Sequence, residues 1–148
     1  MKNNNNQERI LALDYGSKRI GAAISDPLGI TAQPIETIVY KNQPELWTML
    51  DRIHQIYSIS LIVLGEPINM DGSANKILSR VELFGEQIKQ RYQLQVEFWD
   101  ERLSSRVAEN TIKLFGKSPS RNKSKVDKIA AIWILQGYLD RQNTVLKS

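Results

Sequence analysis

Two unbroken apolar runs around a short polar corner constrain this chain more than any other feature. Ile10 to Leu13 run straight into Asp14, Tyr15-Gly16-Ser17-Lys18-Arg19 turn the chain, and Ile20 to Ile24 lead on to Ser25. A continuous apolar run bounded by turn residues reads as a strand covered on both faces. The pair therefore predicts a hairpin inside a layered fold. Asp14 then stands ionised at the end of a central strand, close to a core, which costs free energy unless a cation or donors compensate it. Gly16 permits a close approach that a side chain would block, and Lys18 and Arg19 put two cations just past the corner. Asp-x-Gly alone describes an ordinary acidic turn equally well, so the partners of Asp14 must come from elsewhere in the chain.

Composition narrows what those partners can be. With no cysteine among 148 residues, disulfides, thiolate metal sites and a cysteine nucleophile are excluded. His54 is the only histidine and falls in a helical stretch, where it reads as a solvated helix residue. The remaining chemistry belongs to carboxylates, lysine, arginine and hydroxyls, and the metals suited to such oxygen ligands are Mg²⁺ or Mn²⁺. A net charge of +4 permits a polyanionic partner. Met1 to Gln7 is a polar, asparagine-rich tail without the apolar core of a signal peptide, and the longest apolar run, Ile129 to Leu135, is too short to span a bilayer. The expectation is a cytoplasmic protein with one domain over residues 8–142 and flexible tails at 1–7 and 143–148.

Taken in order, Asp26-Pro27-Leu28-Gly29 signals a turn, and Ile35 to Tyr40 reads as a third strand, antiparallel to the second. Pro44 suits the first turn of a helix, and Leu46, Leu50, Ile53 and Tyr57 carry it to about Tyr57. Leu61 to Leu64 is a short unbroken run ending at Gly65, the pattern of a parallel strand covered on both faces. A helix beginning near Ser73 follows, with Ile77, Val81, Phe84 and Ile88 on one stripe. Leu94, Val96 and Phe98 alternate with polar residues, predicting a strand nearer an edge that ends at Trp99-Asp100-Glu101-Arg102. Ser104 or Ser105 can cap a helix to about Phe115. Lys117 to Ser124 reads as a loop, and a last helix runs from about Lys125 to Asp140. This order predicts an α/β fold: a five-stranded mixed sheet, with a three-strand antiparallel meander plus parallel strands, and helices on both faces. Ligands of such sheets gather beyond the carboxyl ends of the parallel strands.

Three acids share that placement. Asp14 follows the first apolar strand, Glu101 the last, and Asp127 lies in the first turn of the last helix. Asp127 is in line with Ala130, Ala131, Ile134 and Tyr138, so its position continues an apolar stripe, although Ile129, Ile132 and Trp133 make other sides of that helix apolar too. An acid near a helix N-terminus is also favoured by the dipole, by about 0.3–1 kcal/mol. Convergent carboxylates can share a proton or bind divalent metal between them. With no histidine placed as general base, metal-activated water attacking a phosphodiester is the more economical chemistry. Lys18 and Arg19 beside Asp14, Arg102 beside Glu101, and Arg121, Lys123, Lys125 and Lys128 around the last loop and helix are candidate phosphate contacts.

The segments LALDYGSKRIGAAISDPLG, GEPINMDGSA, WDERLSS and KVDKIAAIWILQGYLD resemble, in order, the motifs of the YqgF (RuvX) family of bacterial RNase H-like proteins. The likeness covers about Arg9 to Asp140. It implies an RNase H-like fold and a nuclease, related to Holliday-junction resolvases, that processes the ends of precursor 16S ribosomal RNA. By motif, the family's acidic residues fall on Asp14, Glu101 and Asp127. One departure stands out: Gly65-Glu66-Pro67 carries an acid where the family is expected to have an apolar residue. In related resolvases an acid near this strand end is a metal ligand, so Glu66 is a possible further ligand, with a solvent-facing or supporting role favoured. The leading expectation is a Mg²⁺- or Mn²⁺-dependent endonuclease acting on structured or single-stranded RNA, as a monomer or weak homodimer. The alternatives are a resolvase acting on branched DNA and a non-catalytic RNA-binding or ribosome-assembly factor.

Overall fold

The computed structural model describes residues 8–16, 18–66, 74–100 and 123–147, with side chains described for all of these except 74–78, 123–128 and 145–147. The opening hairpin forms as the apolar runs dictate. β1 (Arg9–Asp14) and β2 (Arg19–Ser25) are antiparallel, with Leu11 opposite Ile24 and Asp14 opposite Gly21. The third strand is where sequence and structure part. Instead of one strand over Ile35 to Tyr40, β2 pairs with β3 (Ala32–Pro34) and then with β4 (Ile38–Val39). Pairing starts early because the preceding turn closes tightly: the Asp26 carboxylate accepts from the N–H groups of Leu28, Ile30 and Thr31 at 3.1, 2.7 and 2.7 Å. β3 ends at Pro34, with one more bond from the Ile35 N–H to the Ala22 carbonyl at 3.2 Å before pairing resumes at β4.

α1 (Gln43–Ile56) begins where Asn42 caps it, accepting from the Glu45 N–H at 2.9 Å, with Pro44 in the first turn. β5 (Ile59–Glu66) is parallel to β1, and β6 (Gln95–Asp100) is parallel to β5. α2 (Ala74–Tyr92) crosses between them. α3 (Lys123–Lys147) runs past Asp140, where the sequence reading ended it, so 143–147 continue the helix rather than forming a tail. The sheet order is β3-β2-β1-β5-β6, with β4 also on β2. Six strands thus occupy the five expected positions. The helix expected from Ser104 or Ser105 to Phe115 lies outside the described residues.

Each face of the sheet has its own core. Leu11, Leu13, Ile24, Ile62 and Leu64 pack with Leu46 and Leu50 of α1 and Val81, Phe84 and Ile88 of α2. Ala12, Ala23, Val63 and Trp99 pack with Ala131, Ile134, Leu135, Tyr138 and Leu139 of α3. Successive strand residues point to opposite faces, so neighbouring residues of one strand belong to different cores. His54 is half-buried, and its ring stacks on Tyr92 at 4.7 Å between centroids, so it is a packing residue rather than a solvated one.

Candidate active site at the carboxyl edge of the sheet

β1, β5 and β6 run in the same direction, so their carboxyl ends share one edge, and each ends in an acid: Asp14, Glu66 and Asp100. Alternation decides which face each occupies. Ala12 lies in the α3 core and Leu13 in the α1/α2 core, which assigns Asp14 to the α3 face. Tyr15, the next residue, confirms the sense, because its ring meets Phe84 of α2 at 5.0 Å. On β5, Val63 belongs to the α3 core and Leu64 to the other, so Glu66 turns toward α1 and α2. On β6, Trp99 lies against α3 and Asp100, the register partner of Glu66, shares the face of Glu66. Asp14 and Glu66 therefore do not face one another. Sequence reasoning passed over Asp100, although its position beside Trp99 at a strand end was visible.

Glycines flank Asp14 on both neighbouring strands. Its pairing partner is Gly21, and the neighbouring strand brings Gly65 alongside, one step beyond the Leu13–Leu64 pair. Arg19 shares this face through the spacing Arg19, Gly21, Ala23 on β2. Lys18 is exposed on the corner before it. A Cβ on Gly16 would collide with the Arg19 carbonyl, so glycine here serves the turn itself.

The direction of α3 follows from its far end. The Gln136 amide donates to the Ile30 carbonyl at 2.9 Å and accepts from the Ala32 N–H at 3.0 Å, and Asn143 donates to the Gly29 carbonyl at 3.4 Å. Those residues form the turn at the start of β1, where the Ile10 N–H donates to Ser25 Oγ at 2.9 Å. The amino-terminal half of α3 is thus directed toward Asp14. From Ser25, paired with Ala32, back to Gly21, paired with Asp14, is about 13 Å along β2 at roughly 3.3 Å per residue. From Gln136 back to Asp127 is about 13.5 Å at roughly 1.5 Å per residue. Were α3 aligned with β2, these two lengths would bring the backbone of Asp127, four residues before the buried Ala131, near the level of Asp14. Tyr138 anchors α3 to β6: burial first, then its hydrogen bond to Glu97 and that group's charge, push its hydroxyl up to about 12.

The remaining expected site residues divide by position. Lys123, Lys125 and Lys128 lie on the first turns of α3, while Glu101, Arg102 and Arg121 lie outside the described residues. Among the described residues, no group of three or more His, Asp or Glu side chains is gathered for a metal. Asp14 offers carboxylate oxygens, the donor type that suits a hard cation, in a chain with no cysteine and with its one histidine packed on Tyr92. No helix among the described residues is long and apolar enough to cross a membrane.

Comparison with known proteins agrees with this architecture. A solved Thermus thermophilus structure, "T. thermophilus RuvC in complex with Holliday junction substrate", superposes with a TM-score of 0.55 at 12% identity, covering 93% of this chain and 97% of that one. At that identity it supports the fold alone, an RNase H-like one. A protein of Acetivibrio thermocellus named "Putative pre-16S rRNA nuclease" is 42% identical over 145 residues, 93% of this chain and 99% of the relative. One of the same name from Caldicellulosiruptor bescii is 43% identical, over 91% and 98%. Residues 8–141 match the family described as "RuvX: Holliday junction resolvase", and the chain belongs to that family.

Proposed function

We propose that this chain is a divalent-metal-dependent endonuclease that hydrolyses phosphodiester bonds of precursor 16S ribosomal RNA. The observation that carries the reading is the placement of Asp14: at the carboxyl end of a central strand with a parallel neighbour, turned to the face that α3 covers. The names of the relatives supply the substrate class. Glu101 enters the set through its place in the segment WDERLSS. Asp14, Glu101 and Asp127 would hold Mg²⁺ or Mn²⁺, which supplies an activated water and neutralises charge on the phosphate. Glu66, on the opposite face, plays at most a supporting part.

The chain's own groups do the rest. Lys18 and Arg19 hold phosphates on the corner side of the site, and Lys123, Lys125 and Lys128, on the first turns of α3, are further phosphate contacts together with Arg102 and Arg121. Gly21 and Gly65, beside Asp14 on the neighbouring strands, place no side chain there. Asp14→Asn removes one ligand and leaves the basic groups in place. It is expected to lower cleavage by at least about 100-fold, above the 10–100-fold seen for partners of metal ligands, while RNA binding persists. Cleavage at the wild-type rate by Asp14→Asn, in Mg²⁺ or Mn²⁺, would overturn the assignment. A second reading, action on branched DNA, is favoured by the family description. Running a four-way DNA junction beside precursor ribosomal RNA in the same assay separates the two.

A further inference from the structure

Tyr40 is buried, follows β4, and makes two bonds to the corner after Asp14. Its hydroxyl donates to the Gly16 carbonyl at 2.7 Å, and its backbone N–H donates to the Lys18 carbonyl at 3.2 Å. These bonds grip the corner on both sides of position 17. The hydroxyl is also hydrogen-bonded to the Tyr15 phenol. Gly16 admits no Cβ because of the Arg19 carbonyl, so the corner has little room to relax. We propose that Tyr40 is a positioning residue of the nuclease site, its hydroxyl fixing the Gly16 carbonyl and through it the direction in which Asp14 leaves β1.

The inference rests on the nuclease reading and adds a residue to it. Burial, then the charge and hydrogen bond of Tyr15, push the Tyr40 hydroxyl up to about 12, so it remains a donor throughout the neutral range. The two bonds also divide the corner into halves. Tyr40→Phe deletes the bond to Gly16, on the Asp14 side. It retains the backbone bond to Lys18 and the pairing of Arg19 with Val39, on the cation side. The part nearest the acid is loosened and the part carrying the cations is kept.

The test compares wild type, Tyr40→Phe, Tyr15→Phe and Asp14→Asn. It reads kcat and KM for precursor ribosomal RNA, calorimetric Mn²⁺ affinity and Tm, with cleavage assayed well below every Tm. Tyr40→Phe is expected to lower kcat and weaken Mn²⁺ binding by about tenfold or more, the scale of a group that orients a metal ligand, with KM unchanged. Tyr15→Phe, which leaves the Gly16 bond intact, is expected to stay within about twofold of wild type in the same readings. Wild-type kcat and Mn²⁺ affinity in Tyr40→Phe, alongside an inactive Asp14→Asn, would overturn the role of Tyr40 alone. So would a fall in Tm with kcat and Mn²⁺ affinity unchanged, the signature of a purely structural bond. An active Asp14→Asn would overturn the nuclease reading and this inference with it.

Discussion

The two faces of the sheet are built from the same strands and packed by opposite means. Toward α3 the central positions are Ala12, Ala23 and Val63, while toward α1 and α2 they are Leu11, Leu13, Ile24, Ile62 and Leu64. Small residues let a helix lie close to a sheet, and the contact of Gly137 with Trp99 shows how close: a Cβ on Gly137 would stand 3.0 Å from the indole. The other face is thick. Its bulky aliphatic layer is extended outward by rings, with Tyr15 on Phe84 at 5.0 Å, Trp47 on Phe84 at 5.6 Å and Trp47 on Tyr92 at 6.4 Å. The acid at the end of β1 is on the thin face, the one that α3 covers. The acids of β5 and β6 are on the thick one. Proximity of a helix to the strand ends is what the thin face offers a metal site; buried apolar volume is what the thick face offers stability.

Deleting volume should therefore hurt on one face and adding it on the other. Leu64→Ala removes a fully buried side chain from the thick core and is expected to cost about 2–5 kcal/mol. Ala23→Leu forces a larger side chain beneath α3 and is expected to cost about 1–3 kcal/mol through overpacking. Urea unfolding of both variants reads the comparison directly. An Ala23→Leu variant as stable as wild type would mean that α3 gives way easily and that its close packing on the small residues of this face is not required.

Much of this arrangement was legible in the sequence because its signals are local. The hairpin, the placement of Asp14 at a strand end and the stripe of the last helix all follow from spacing within short windows. The face of Glu66 was not legible. Leu61 to Leu64 is apolar at every position, so the run carries no alternation, and only packing against Val81, Phe84 or Ala131 separates one face from the other. The third strand was misplaced because the Asp26 carboxylate closes its turn through three backbone donors, a tertiary detail that residue type alone does not time. Tyr40 was missed for a related reason. Its bond to Gly16 spans 24 residues of chain, and an isolated tyrosine after a short strand gives no sign of such a partner.

The division of the acids between faces makes a sharper prediction than either acid alone. Glu66→Gln is expected to keep cleavage within about tenfold of wild type, less than the loss from a group that orients a metal ligand directly. Measured beside Asp14→Asn, a loss as large as that variant's would mean that the two carboxylates act on the same metal, against the alternation that separates them.

The smallest expected effect lies at the outer rim of the thick face. There Asp51 of α1 accepts from Arg91 Nε and Nη2 of α2 at 2.9 and 2.6 Å and from the Tyr92 hydroxyl at 2.7 Å. These bonds, the Arg91 guanidinium first, hold the Asp51 carboxyl at about 2, below the ordinary 3.8. A carboxylate whose folded value is depressed stabilises the fold above its unfolded value, and that contribution is lost as the pH falls through the folded one. The link is thus fully present above about pH 4 and disappears toward pH 2. Its size is modest, because the Asp51 side chain is 36% exposed and water screens the pair. Urea midpoints for wild type and Asp51→Asn should differ slightly at pH 7, and the gap should close between pH 4 and pH 2. A gap that persists at pH 2 would show that the Tyr92 hydroxyl and packing, rather than the charge of Asp51, tie α1 to α2.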